Sequence, residues 1–269
     1  LLGINLHRGA KKYNILLSYL YLKLKLRNKN IEYFRSIKRK VDVRIDLINY
    51  FCNFVTPPAV MLGEIDFFIA MSMITMRNLV KHGLTYQSII GICNFATMNL
   101  LIQKDYDSAE KYGKISLDLL SDFPGVSSYI PLNVSHVYSA MICYFNHSLD
   151  IAIDISTHHF KSAYETGNYH NLSYNINIYL IMVLFSGMPL DHFYSEYHKY
   201  RHIVIESNHK GVKSAILFHR QLANNLSGAI ANRSSFDAPD FSEEQAFEEI
   251  RHTKSKMPYV SFTIYRAMI

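Results

Sequence analysis

The 269 residues contain no tryptophan and only three cysteines. Cys52, Cys93 and Cys143 lie far apart and form no CxxC, and an odd, sparse set of this kind is no disulfide framework. Each sits in an apolar run, the setting of a buried unpaired thiol. Such usage fits a reducing, cytoplasmic compartment. Glycine and proline are scarce as well, 11 and 7 residues, roughly half their usual shares of about 7% and 5%. An all-β sandwich, which needs turn residues every ~8–12 positions, is excluded on that count. Long hydrophobic runs are missing. The most apolar stretch, Ile178–Leu190, has Ser186 and Gly187 inside it and falls short of the ~20 residues that span a bilayer. No leader pattern opens the chain. It begins with Leu and stops inside the apolar stretch Val260–Ile269, and we read it as part of a longer protein.

Catalytic signatures are lacking too. There is no GxxxxGK[ST], GxGxxG, HExxH or GxSxG, hence no phosphate cradle, zinc helix or nucleophile elbow. We expect no catalytic residue, cofactor or metal in this chain. Thirteen histidines invite a search for ligands. His198, His202 and Glu206 follow one another at i, i+4 and i+8 on one helical face, a spacing that can hold a metal. Lys199 and Arg201 beside them, and Phe193, Tyr197 and Ile205 on the inward side, make an exposed polar face the better reading.

What is present is a globular, helix-forming composition: 49% apolar, 19% charged and mean hydropathy of zero. The net charge of +6 is unevenly spread. Residues 1–44 carry twelve Lys/Arg against Glu32 and Asp42, and the remainder has 16 bases and 20 acids. Lys23, Lys25, Arg27, Lys38, Arg39 and Lys40 are the docking candidates in this basic segment. Apolar residues run through it (Ile15, Leu16, Tyr19, Leu20, Leu22), as in a helix packed on an acidic neighbour, and the aromatics that could stack on bases lie mostly elsewhere. The pattern therefore points to protein partners rather than nucleic acid.

Apolar residues recur at three and four throughout, and no strand-length alternation is found. Helices are expected over 11–27, 42–55 (ended by Thr56-Pro57-Pro58), 64–82 (with Gly83 as a left-handed cap), 85–103 (capped by Thr85), 105–120, 131–146, 149–166, 171–185, 190–207, 211–231, 243–254 and from 260 onward. Pro124-Gly125 breaks the chain, and the polar run 232–242 reads as an exposed loop. Within Ile92–Phe123 a helix, a turn at Lys104–Asp107 and a second helix with Ala109 in its first turn resemble one tetratricopeptide repeat, although Cys93 stands at its tryptophan. Thr97 precedes Ala109 by twelve, and the interval recurs between Ala140 and Ala152. The expected fold is all-α: a single domain of tetratricopeptide-like stacked helical hairpins, an α-α superhelix. Its inner face, the binding face of such stacks, would present Asn94, Met98, Leu101, Val137, Met141 and Tyr144.

Several segments, in order, are similar to one family. They are LKLKLRNKNI (Leu22–Ile31), FVTPPA (Phe54–Ala59), MRNLVKHGLTYQS (Met76–Ser88), FKSAYETGN (Phe160–Asn168), FSGMPL (Phe185–Leu190) and FHRQLANNL (Phe218–Leu226) with Phe236-Asp237. They resemble the helical, repeat-like region of large bacterial hybrid sensor proteins. In those proteins a protein-kinase-like domain and an AAA-type ATPase precede this region, and a GAF domain with a histidine kinase or diguanylate cyclase follows it. The resemblance covers about residues 2–269 and carries over no catalytic residue. The richness in Asn, Tyr and His and the proline-free opening Asn5–Gly9 depart from it. It implies a non-catalytic cytoplasmic signalling module whose partners are the ATPase and the output kinase or cyclase of the same polypeptide. The alternative is the effector- or peptide-binding tetratricopeptide-like regulatory domain of a transcriptional activator.

Overall fold

The computed structural model describes residues 12–39, 42–123, 127–230, 232, 234–252 and 256–269. Among these the chain is all-α, with no strand and one isolated bridge, Ala238 to Phe241. It divides into two compact units, residues 1–146 and 147–269, a boundary the sequence reading did not draw. No described helix is long and apolar enough to cross a membrane.

The first unit contains α1 (Lys12–Leu26), α2 (Ile31–Ser36), α3 (Val43–Leu62), α4 (Ile65–His82), α5 (Tyr86–Gln103), α6 (Tyr106–Leu120), α7 (Tyr129–Met141) and a 3-10 turn, Cys143–Phe145. α3 and α4 form a hairpin through Gly63, whose φ of 74° is one that L side chains rarely adopt. α5 and α6 form the tightest pair and α7 packs on both. Thr97 and Ala109 are buried, as the repeat-like spacing requires. Close approach of α6 to α7 rests on Gly113, where a Cβ would lie 2.6 Å from Tyr138 Cδ2. α5 begins with a capping box: the Ser88 amide donates to Thr85 Oγ1, and the Thr85 amide donates to Ser88 Oγ.

α3 does not stop at Thr56 but runs through Pro57 and Pro58 to Leu62. Prolines inside a helix remove two backbone donors. Both rings lie on the exposed side, while Ala59 beyond them is buried and α3 packs closely on α4, so tertiary packing carries the helix past the break. Gly83 has a positive φ of 114° with an extended ψ of 174°, not a left-handed helical cap. α2 was missed. The break at Pro124-Gly125 lies outside the described residues.

The second unit contains α8 (Leu149–Thr157), α9 (Phe160–Glu165), α10 (Tyr169–Phe185), α11 (Leu190–Glu206), α12 (Lys210–Ser227), α13 (Glu243–His252) and α14 (Lys256–Met268). α10 is its axis, with α8, α9, α11 and α12 packed on it. The expected helix 149–166 is broken at His158-His159, next to Ser156 and Thr157, whose hydroxyls donate back to Ile153 and Asp154 carbonyls. Ala140 and Ala152 fall in different units, so they do not form a second copy of the Thr97–Ala109 pair within one unit. The run 232–242 is not simply an exposed loop. Phe236 and Phe241 are buried edge-on against Phe218, which also meets Phe262.

Candidate functional site

The 3-10 turn and the α5–α6 turn of the first unit enclose an open apolar cleft of about 250 Å³. Its floor comes from the last turns of α5 (Thr97, Leu100, Leu101) and the end of α7 (Met141); its rim is Lys104, Tyr106, Tyr144 and Phe145. The turn that shapes the rim is specified locally. Lys104 caps α5 in the left-handed region, φ 53°, ψ 34°; its amide donates to Leu100 and the Asp105 amide to Asn99. A non-glycine residue pays about 1–2 kcal/mol for that conformation. Here the strain sets a lysine beside the aromatic rim. Tyr144 and Phe145 have ring centroids 4.5 Å apart, and Tyr106 lies 5.2 Å from Phe145. These three rings and Leu101, which is 54% exposed, are uncovered apolar surface.

Of the expected groove residues, Leu101, Met141 and Tyr144 come together in this cleft. Val137 is half-buried on α7 and does not line it. Asn94 and Met98 are buried inside the unit and present nothing to a partner: the exposed phase of α5 runs through 101 and 104, not 94 and 98. Thr97, Leu100, Lys104, Tyr106 and Phe145 were missed as site residues. The signal for the rim was the cluster of aromatics flanking the two turns, which helical periodicity does not weigh.

The basic segment is partly used within its own unit. Lys23 donates to Gln103 and pairs with Asp105 at 3.1 Å. Burial raises the Asp105 carboxyl, but the Ser108 amide and Lys23 outweigh it and hold the group below the usual carboxylate range. Arg35 and Arg39 both reach Asp122, and Arg39 lies over the Phe123 ring. Lys23 and Arg39 therefore tie α1 and the segment after α2 to acids of the same unit. Lys25, Arg27 and Lys38 are exposed, with Lys25 close to the Tyr21 hydroxyl. Lys40 lies outside the described residues.

Acid–base and nucleophilic groups are not gathered at the cleft. The three thiols are buried and unpaired; burial pushes Cys52 up to about 11 and Cys93 to about 12, far from thiolate chemistry at neutral pH. His219 is buried between Asn177 and the Tyr265 hydroxyl, and burial lowers it to about 3. Since the Asn177 Oδ1 can only accept, Nε2 carries the proton and Nδ1 accepts from Tyr265: a structural bridge from α12 to α10 and α14. His198, His202 and Glu206 are exposed on α11, and Ile205, expected inward, is exposed with them. No group of three possible metal ligands occurs among the described residues.

No family model, curated protein or solved structure matches this chain.

Proposed function

We propose that the chain is a non-catalytic signal-transduction and protein-interaction module of a multidomain bacterial sensor protein. It relays between an ATPase domain and a C-terminal output kinase or cyclase, in the cytoplasm. The cleft between the α5–α6 turn and the 3-10 turn carries the interaction part of this reading. Small-molecule pockets run to about 300–1,000 Å³ and converge polar groups on the ligand. This one is smaller, open and apolar, a size that suits one or two anchoring side chains of a polypeptide. Lys104 on its rim favours an acidic residue beside the anchor. The sensor context is supported by the ordered segments from Leu22 to Asp237.

The coding sequence on both sides of the chain tests this context. A phosphate-loop ATPase before it and a kinase or cyclase after it are expected. In the parent protein, Leu101→Asp or Tyr144→Ala should then uncouple output activity from nucleotide binding without unfolding the module. A DNA-binding module on either side would overturn the relay in favour of an effector-binding regulator.

A further inference from the structure

α1 is apolar on two faces. One is used inside the unit. Tyr19, Leu22 and Leu26 are fully buried; the Tyr19 hydroxyl donates to Asn99 Oδ1 at 2.8 Å, and the Leu26 carbonyl accepts from the Tyr112 hydroxyl at 2.7 Å. The other face is open. Leu16, Leu17, Leu20, Tyr21 and Leu24 are exposed, Leu24 by 75%. At about 100° per residue the five share one stripe about 140° wide, and a helix apolar on both sides needs a second apolar environment.

The end of this stripe is cationic. Lys25 borders it in the last turn of α1. Arg27 and Lys29 follow, and Lys111 of α6 donates to the Arg27 carbonyl at 3.2 Å. Lys25 also meets the Tyr21 hydroxyl, and Lys29 and Lys111 lie over the Tyr33 and Tyr112 rings. Hydroxyls, carbonyls and ring faces orient these cations without neutralising them. Residues 1–31 contain no Asp or Glu. Asp105 is taken by Lys23, and Glu110, next to Lys111, by Lys114. Exposed Glu32 and Asp107 form no ion pair with the four cations among the described residues, and counting both still leaves this end net positive.

We propose that the open face of α1 lies on an anionic lipid surface, with the leucines in the acyl boundary and the cations against headgroup phosphates. The pairing of stripe and charge selects this occupant. Nucleic acid would satisfy the cations and offer nothing to five apolar side chains. A neutral bilayer would take the leucines and leave the cations without counter-charge. Tyr21 stands at the wet edge of the stripe, its hydroxyl 3.3 Å from Lys25, as suits a side chain with an apolar body and a polar tip. At 15 residues, about 22 Å, α1 is long enough to lie along a membrane and too short to cross it. So small an apolar face binds weakly alone and needs the basic patch as its second signal. The attachment is therefore reversible and charge-dependent. It rests on neither the cleft nor the proposed relay.

Flotation of the full chain with phosphatidylcholine vesicles, with and without about 30% phosphatidylglycerol, tests this. Saturable binding is expected on the anionic vesicles alone, weakened at least tenfold when salt rises from about 0.05 to 0.5 M. Leu20→Glu and Leu24→Glu should each weaken it about tenfold or more with an unchanged helical circular dichroism spectrum. Lys25→Glu combined with Arg27→Glu should do the same. The chain has no tryptophan, so Leu24→Trp gives a single reporter whose emission should shift to the blue on anionic vesicles. No binding at low salt would overturn the proposal, and so would equal binding to neutral vesicles. Binding that survives Leu24→Glu, with an unshifted Leu24→Trp spectrum, would reduce it to adsorption by charge alone and overturn it as well.

Discussion

The two units solve the same packing problem and finish their surfaces differently. Each joins neighbouring helices with a tyrosine donating to a glutamate: Tyr138 to Glu110 in the first, Tyr179 to Glu196 in the second. Each glutamate also pairs with a lysine of its own helix, Lys114 or Lys199. Beyond this shared device they diverge. The second unit folds aromatics inward: Phe236 and Phe241 close over Phe218 from a loop that is otherwise polar, and α11 turns His198, Lys199, Arg201 and His202 outward. The first unit leaves aromatics outside, on α3 and around the cleft. Large exposed apolar patches on a folded domain mark interaction surfaces. The difference is one of degree: exposed aromatics are denser in the first unit, while the second also leaves Tyr164, Phe185 and Tyr259, with Val260 and Ile264 of α14, uncovered.

The sharpest way to break this comparison is to truncate one phenylalanine in each setting. Phe218→Ala removes the centre of a buried aromatic cluster and should cost about 3–5 kcal/mol. Phe54→Ala should change the stability of the chain by no more than about 0.5 kcal/mol. Urea unfolding of the two variants checks it, and equal costs would show that Phe54 is covered within the chain itself.

Acid provides the next contrast. His219 in the second unit is buried and His136 in the first is half-buried, and loss of hydration lowers them to about 3 and about 4. In the unfolded chain both take up a proton near pH 6.5. Stability is therefore greatest above that value and falls as the pH drops, by about 2 kcal/mol per histidine at pH 5. The two contributions run together to about pH 4, below which only the His219 contribution continues to grow. Urea midpoints between pH 7 and pH 4 should fall, and His219→Asn should flatten the slope. Midpoints that rise toward acid would contradict the burial.

A smaller effect is expected at Gly113. An alanine gains about 1 kcal/mol of helix propensity, but its Cβ would meet the Tyr138 ring at 2.6 Å, an overpacking cost of about 1–3 kcal/mol. Gly113→Ala should lower the melting temperature by a few degrees, and a rise would mean that the ring moves freely. A small effect should also follow Lys23→Ala, because its pair with Asp105 is partly exposed and such pairs give under about 1 kcal/mol.

Most helices were legible because the apolar positions repeat at 3.6 and because Thr85, Gly167 and Gly187 mark caps and turns. The failures have physical causes. The rule that proline ends a helix is local, and burial of Ala59 beyond Pro57-Pro58 outweighs it. The break at His158-His159 has no glycine or proline to announce it. Phe236 and Phe241 sit in a polar run, and only the aromatics of α12 and α14 explain their burial. Three cleft residues, Leu101, Met141 and Tyr144, were legible from the repeat-like phase. Asn94 and Met98 were not, since α5 is apolar nearly all round and its exposed side cannot be read from its own pattern.

The claim that the first unit's cleft receives a partner segment is tested most directly by calorimetric titration of the ATPase and output domains of the proposed parent protein into the intact chain and into Tyr144→Ala. The account predicts saturable binding to the intact chain, weakened about thirtyfold or more in the variant, as truncating an aromatic anchor costs about 2 kcal/mol. Binding of equal strength to both proteins, or to neither, would contradict it.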